Sequence, residues 1–138
     1  MDIQLDKDTI GKIGEHMTFA QLLKLGYEVY LAVSKSQKHW DIIAVVNNSF
    51  KRIQVKTTFL QNESKNNSTN IGIVGYDILV IVVIDDDKTD FLILTKNEVK
   101  IEKSSNKKLS VSQFINDKYS IKTSLISHRE QWGKIDRR

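Results

Sequence analysis

The stretch that most narrows the fold is residues 76–84, YDILVIVVI. From Ile78 to Ile84 every position is apolar, so strand alternation places apolar side chains on both faces. The run reads as a buried central strand. As a helix it is far too short to cross a bilayer, which takes roughly 20 apolar residues. DIIAVV (41–46) is also apolar on both faces. A sheet built from such strands is expected to be covered on both sides, as in α/β domains. The chain of 138 residues fits one domain, 1–138, long enough to bury a core.

Around these strands the other elements follow in order. Residues 8–25 are expected to be helical, with Asp8 or Thr9 as N-cap and Gly26 as the stop. Ile13, Met17, Ala20 and Leu23 form an apolar stripe that Phe19 and Leu22 widen. YEVYLAV (27–33) reads as a strand, and SKSQKH (34–39) as a polar loop. WDIIAVV and FKRIQVKTT are two strands split by Asn47-Asn48-Ser49, a hairpin signal. QNESKNNSTN (61–70) reads as a polar loop, DDDKTD (85–90) as a solvated turn and FLILT (91–95) as a further strand. The aspartates at 85–87 lack the glycine and distal Glu of an EF-hand. Short helices are expected at Lys96–Val99 and Val111–Asn116, followed by a polar tail.

The chain has no cysteine, which excludes disulfides, a thiolate zinc site and a cysteine nucleophile. The opening MDIQLDKDTI is acidic and polar, unlike a secretory signal, so a cytoplasmic location and no membrane partner are expected. The net charge of +4 favours anionic partners, nucleic acid first, although 17 acidic residues are interspersed with the basic ones.

Within RIQVKTT (52–58), Gln54 and Lys56 share one face of a strand that belongs to a covered sheet. With Asn47-Asn48 as a two-residue turn, Val46 pairs with Ser49 and Asp41 falls opposite Gln54. With Asn48-Ser49 as the turn, Asp41 falls opposite Lys56. In either register Asp41 is expected on the face of Gln54 and Lys56, within cross-strand reach. A carboxylate, an amide oxygen and an ammonium there suit metal-assisted hydrolysis, with Asp41 and either the Gln54 side-chain oxygen or the Val55 backbone carbonyl as ligands of Mg²⁺. Lys56 would hold or deprotonate the attacking water, or neutralise charge on a phosphate. The competing reading is an Asp41–Lys56 ion pair at a sheet edge with Gln54 solvated. In GKIGEHMTFAQLL (11–23), Glu15 borders the apolar face of the helix, aimed along the helix–sheet interface. Gly11 and Gly14 would let that backbone approach the sheet or a phosphate closely.

Gly-x-x-Gly-Glu on a first helix, Asp41 opening a strand and Gln54-Val55-Lys56 on the next resemble the PD-(D/E)xK nuclease superfamily over roughly residues 9 to 95. That is the restriction-endonuclease-like fold, which includes archaeal-type Holliday-junction resolvases and a small homing-endonuclease group with Gln in the third motif. The resemblance implies an α/β fold with a restriction-endonuclease-like core: an N-terminal helix, then a mixed five-stranded sheet with flanking helices. It implies a catalytic set of Glu15, Asp41, Gln54 and Lys56, with the first three and the Val55 carbonyl on Mg²⁺ or Mn²⁺. Two positions depart from the pattern. Trp40 stands where the name motif has proline, and Gln54 replaces the usual acid, removing one negative charge.

The activity so implied is metal-dependent hydrolysis of DNA phosphodiester bonds, with no small-molecule cofactor. Lys35, Lys38, His39, Arg129, Lys134, Arg137 and Arg138 are candidates for phosphate contacts, and Ser34 and Ser36 lie in the loop leading to Asp41. Trp132 would either stack on a base or pack on the core. A homodimer or higher even oligomer is expected, with the apolar stretch 76–84 and the C-terminal third offered as surface for self-association. The alternative is an inactive nuclease-fold module that binds nucleic acid or a protein partner in a restriction, repair or toxin-immunity system.

Overall fold

A computed structural model describes residues 5–32, 39–61, 69–103 and 108–136. Helix α1 (Lys7–Lys24) starts slightly earlier than expected. Its N-cap is Asp6, not Asp8 or Thr9, and the Asp6 carboxylate accepts the Thr9 N–H at 2.8 Å. An acid there satisfies an orphan donor and meets the positive end of the helix dipole. At the other end Gly26 adopts φ +90°, with Gly26 N–H donating to Leu23 C=O and Tyr27 N–H to Leu22 C=O. That pair of bonds is the Schellman motif, so the stop at Gly26 is as expected. The buried line along α1 is Gly14, Thr18 and Leu22, with Ile13, Met17 and Phe19 beside it. Leu23, assigned to the stripe, is 52% exposed.

The chain continues through β1 (Glu28–Leu31), β2 (Ile42–Val46), β3 (Ser49–Phe59), β4 (Thr69–Asn70), β5 (Ile78–Asp85) and β6 (Lys88–Thr95). Next come α2 (Lys96–Glu102), β7 (Lys108–Leu109), β8 (Ser112–Ile115) and β9 (Lys118–Ile121), then 3-10 turns at Thr123–His128 and Trp132–Asp136. Five strands form one mixed sheet in the order β1-β2-β3-β5-β6, antiparallel except for the parallel β3–β5 pair. This is the restriction-endonuclease-like arrangement expected from the motifs. Val46 pairs with Ser49, and Asn47 and Asn48 both take positive φ, 50° and 64°. The two asparagines thus form a type I′ turn, which selects the first of the two registers. The β5–β6 turn at Asp86-Asp87 is exposed, as expected of a solvated turn.

Alternation divides the sheet into two faces. Ile42, Ala44, Val46, Ile53, Val55, Ile78, Val80 and Val82 pack under α1. Leu79, Ile81, Val83, Leu92 and Leu94 pack on the other face with Val99 of α2, Leu109, Val111, Ile121 and Leu125. From Ile78 to Val83 no residue exceeds 2% exposure. Burial contributes about 1.5–3 kcal/mol for each such side chain. It also removes 76–84 as a surface for self-association. The expected double cover holds less well at β2, where Ile43 and Val45 are half-buried beside exposed Tyr30 and Phe50.

Residues 111–116 are not helical. They open a β8–β9 hairpin in which Asn116 and Asp117 take φ 56° and 61°. The Asn-Asp pair at the tip supplies a type I′ turn that a helical period through Val111–Asn116 overlooks. Helix α2 runs further than Lys96–Val99 and starts on a capping box, Thr95 with Glu98. In the polar loop 61–70, residues 62–68 lie outside the described ones. Among the described residues no helix is long and apolar enough to cross a membrane.

Candidate active site

The open end of β2 makes the site. β2 begins at Ile42, while β3 runs on to Phe59, so among the described residues β3 beyond Ile53 keeps only β5 as a full strand partner. Ile42 pairs with Ile53, yet the N–H of Asp41 also goes to the Ile53 carbonyl, at 2.8 Å. Two successive residues thus address one residue of β3, the two-against-one arrangement of a bulge. The bulge turns Asp41 off the simple alternation that would have put it squarely on the Gln54/Lys56 face. Its Oδ2 instead accepts the N–H of Val55 at 2.8 Å. The side chain stands in for the β2 carbonyl that is missing there. The N–H and C=O of one strand residue point to the same edge, so the Val55 carbonyl is directed to that open edge as well.

Glu15 reaches the same place from above. Gly14 sits so close to β3 that a Cβ on it would lie 1.7 Å from Thr57 Oγ1. The carboxyl of the next residue, Glu15, faces Asp41 within reach of a shared hydrogen bond. Burial, reinforced by that hydrogen bond and by the Asp41 charge, pushes the Glu15 carboxyl up to about 7, against the opposing pull of Lys12. Gln54 and Lys56 project on the face away from α1, alternating with Ile53, Val55 and Thr57. Both are half-buried. No salt bridge joins Lys56 to Asp41 among the described residues, so the simple ion-pair reading does not describe the site. Glu15 and Asp41 meet at one edge of β3, while Gln54 and Lys56 stand on the other face of the same strand.

The remaining candidates scatter. Lys35, Lys38, Ser34 and Ser36, and Arg137 and Arg138, lie outside the described residues. His39 is exposed and packs against Gly75. Arg129 is exposed and bridges to Leu92, which pairs with Ile81, the partner of Lys56. Three strand spacings, about 14 Å, therefore separate its backbone from that of Lys56. Lys134 is corrected outright. It is 5% exposed, and its ammonium donates to the Ile93 carbonyl at 2.7 Å and to Glu98 at 2.9 Å, so it is spent inside the fold. Trp132 packs on Phe91 with ring centroids 5.3 Å apart and donates its indole N–H to Glu130, which decides between its two readings in favour of packing.

The PD-(D/E)XK endonuclease family model matches residues 5–95, most of the chain, and spans all four site residues. The chain belongs to the PD-(D/E)XK endonuclease family. Among solved structures it is similar to the bacterial homing endonuclease I-Ssp6803I, with a TM-score of 0.71 and 16% identity over 96% of this chain and 94% of that one. At that identity the likeness speaks for the fold. A search of curated proteins finds no match.

For a PD-(D/E)XK chain the donor set is short of acids. No group of three or more His, Cys, Asp or Glu side chains suited to a metal occurs among the described residues. Two carboxylates do converge, the charge of Asp41 opposing ionisation of Glu15, and a divalent cation relieves such a pair. With the Val55 carbonyl directed to the same edge, the donors there are all oxygens, the chemistry that suits a hard divalent cation.

Proposed function

We propose that the protein is a Mg²⁺- or Mn²⁺-dependent endonuclease that hydrolyses DNA phosphodiester bonds. The convergence of Glu15 and Asp41 at the open edge of β3, on the strand that carries a Lys56 with no salt bridge among the described residues, supports this reading. Glu15, Asp41, the Gln54 amide oxygen and the Val55 carbonyl would hold the ion. When bound, it supplies Lewis-acid charge at the phosphodiester and acidifies an attacking water. Asp41, anchored on the Val55 N–H, would be held in place to ligate it. Lys56 donates to the phosphate oxygens as charge builds during in-line attack. His39 and Arg129 are the described candidates left for phosphate contacts. One site cuts one strand, so the proposed assembly for duplex or branched DNA is a homodimer or higher even oligomer.

Gln54 in place of an acid favours one other reading, a nuclease-fold module that binds nucleic acid or a protein partner without cutting. A cleavage panel of duplex, branched and single-stranded DNA with Mg²⁺ and Mn²⁺ separates the two. Asp41→Ala is expected to remove metal binding and cleavage together. Lys56→Ala is expected to keep metal affinity while losing a factor of roughly 10² or more in rate. Gln54→Glu, which adds a charged ligand, is expected to tighten Mg²⁺ binding. If Lys56→Ala cuts like the parent and Gln54→Glu leaves Mg²⁺ affinity unchanged, the nuclease reading is lost.

A further inference from the structure

Residues 39–41 are held by contacts from three directions. Trp40 packs against the second core cluster, Asp41 N–H donates to Ile53 C=O, and Ala32 N–H donates to Asp41 C=O at 2.8 Å. At the head of this segment His39 takes φ +75°, a left-handed conformation that a residue with a side chain adopts at a cost. A local strain of this kind persists only where surrounding contacts enforce it. A neighbour packed close against the His39 side chain is Gly75. It has φ +92°, and a Cβ built on it would lie 2.3 Å from the His39 Cβ and 2.7 Å from its Cγ. Gly75 is itself anchored through its neighbour Tyr76, fully buried, whose hydroxyl donates to the Gly72 carbonyl at 2.6 Å.

We propose that Gly75 is a positioning residue: the seat its bare backbone offers to His39 holds the bulge at Asp41, and so sets where the Asp41 carboxylate meets the Val55 N–H and the ion. The functional meaning rests on the nuclease reading above, but the mechanical claim does not. Any side chain at 75 must push His39 away. Trp40 and Asp41 follow directly in the chain, and the Oδ2 of Asp41 is the acceptor of the Val55 N–H. That amide is therefore a built-in gauge of the carboxylate's position, readable without metal or substrate.

The test uses the full chain with amide hydrogen exchange by NMR, and Mn²⁺ affinity by calorimetry. In Gly75→Ala the Val55 amide is expected to exchange about tenfold faster or more, while Val80 and Ile81 in the central strand keep their protection. Mn²⁺ affinity is expected to fall about tenfold or more, the scale of a lost outer contact to a ligand. Alanine at φ +92° is strained whatever its neighbours, so the same change is also made in His39→Gly, where the colliding side chain is gone. There the effect of Gly75→Ala on Val55 is expected to shrink to a small fraction of its size in the parent. An equal effect with and without His39, or an unchanged Val55 amide in Gly75→Ala, overturns the proposal. Should Gly75→Ala fail to fold, His39→Gly alone decides, since it introduces no clash: a faster Val55 amide supports the brace and an unchanged one overturns it. A parent that binds no Mn²⁺ ends the metal reading and leaves the exchange data to judge the brace.

Discussion

Two glycines three residues apart behave oppositely in α1. Gly14 faces β3, and a methyl there would sit 1.7 Å from Thr57 Oγ1, 2.8 Å from its Cβ and 3.0 Å from its Cγ2. Rotating Thr57 clears only part of that overlap, so the helix itself must move. Gly11 has nothing within 4 Å of the same position among the described residues. Gly11→Ala is therefore expected to stabilise the protein by up to about 1 kcal/mol from helix propensity alone. Gly14→Ala gains the same propensity and is still expected to destabilise, by roughly 1–3 kcal/mol of overpacking, while pulling Glu15 away from Asp41. Urea titrations of the two variants check the signs. The reading of a close helix–sheet approach in the two glycines was legible before the structure, but which of them makes it was not. That depends on Thr57, forty-three residues along the chain from Gly14.

At the scale of elements, the C-terminal segment closes the open side of β6. Arg129 bridges to Leu92, and the Glu130 N–H donates to Phe91 C=O at 2.9 Å, capping an edge that would otherwise be free to pair with another chain. Lys134 pins the segment to α2. Its three ammonium protons find three acceptors: the Ile93 carbonyl, Glu98 Oε1 and His128 Nδ1, the last at 2.9 Å. A His128 that accepts from a cation must be neutral, and burial followed by the Lys134 charge indeed holds its pKa below the ordinary value. Burial pushes the Glu98 carboxyl up, but the Thr95 N–H and Lys134, joined by the His128 charge once that ring is protonated, outweigh it, so Glu98 lies below the usual carboxylate range. Both groups bind protons less readily folded than unfolded. Their stabilisation is complete above the unfolded pKa of His, about 6.5, and is lost stepwise as pH falls, first through His128 and then below about 4.5 through Glu98. Thermal melts from pH 8 to 4 are expected to show that decline, and His128→Gln is expected to flatten its upper part. Lys134→Met is expected to cost toward the lower end of roughly 3–5 kcal/mol, since Glu98 keeps some contact with water.

For the whole molecule, assembly is the property the central strand does not supply. Ile78–Val83 are sealed between the two core clusters, so any second copy must dock elsewhere. The proposed even-numbered assembly is expected to appear in light scattering with duplex DNA as a particle of twice the 15.9 kDa mass, or an even multiple of it, beyond the mass of the DNA. A single chain per DNA at high micromolar concentration contradicts it.

The α/β class, the order of the main strands, the Asn-Asn turn and the elements that carry Glu15, Asp41, Gln54 and Lys56 were legible in the sequence. Each rests on a local rule: a period of two, a turn dipeptide, a glycine after a helix. The β8–β9 hairpin was legible by the same rule in Asn116-Asp117, and was obscured by a short apolar spacing that also suits a helix. Other features were not local at all. The bulge at Asp41 depends on how far β2 can follow β3. The burial of Lys134, the exposure of Leu23 and the half-open face of β2 depend on which segments return to cover them. A charge or an apolar side chain carries no mark of its distant partner, so these were decided only when the chain closed on itself.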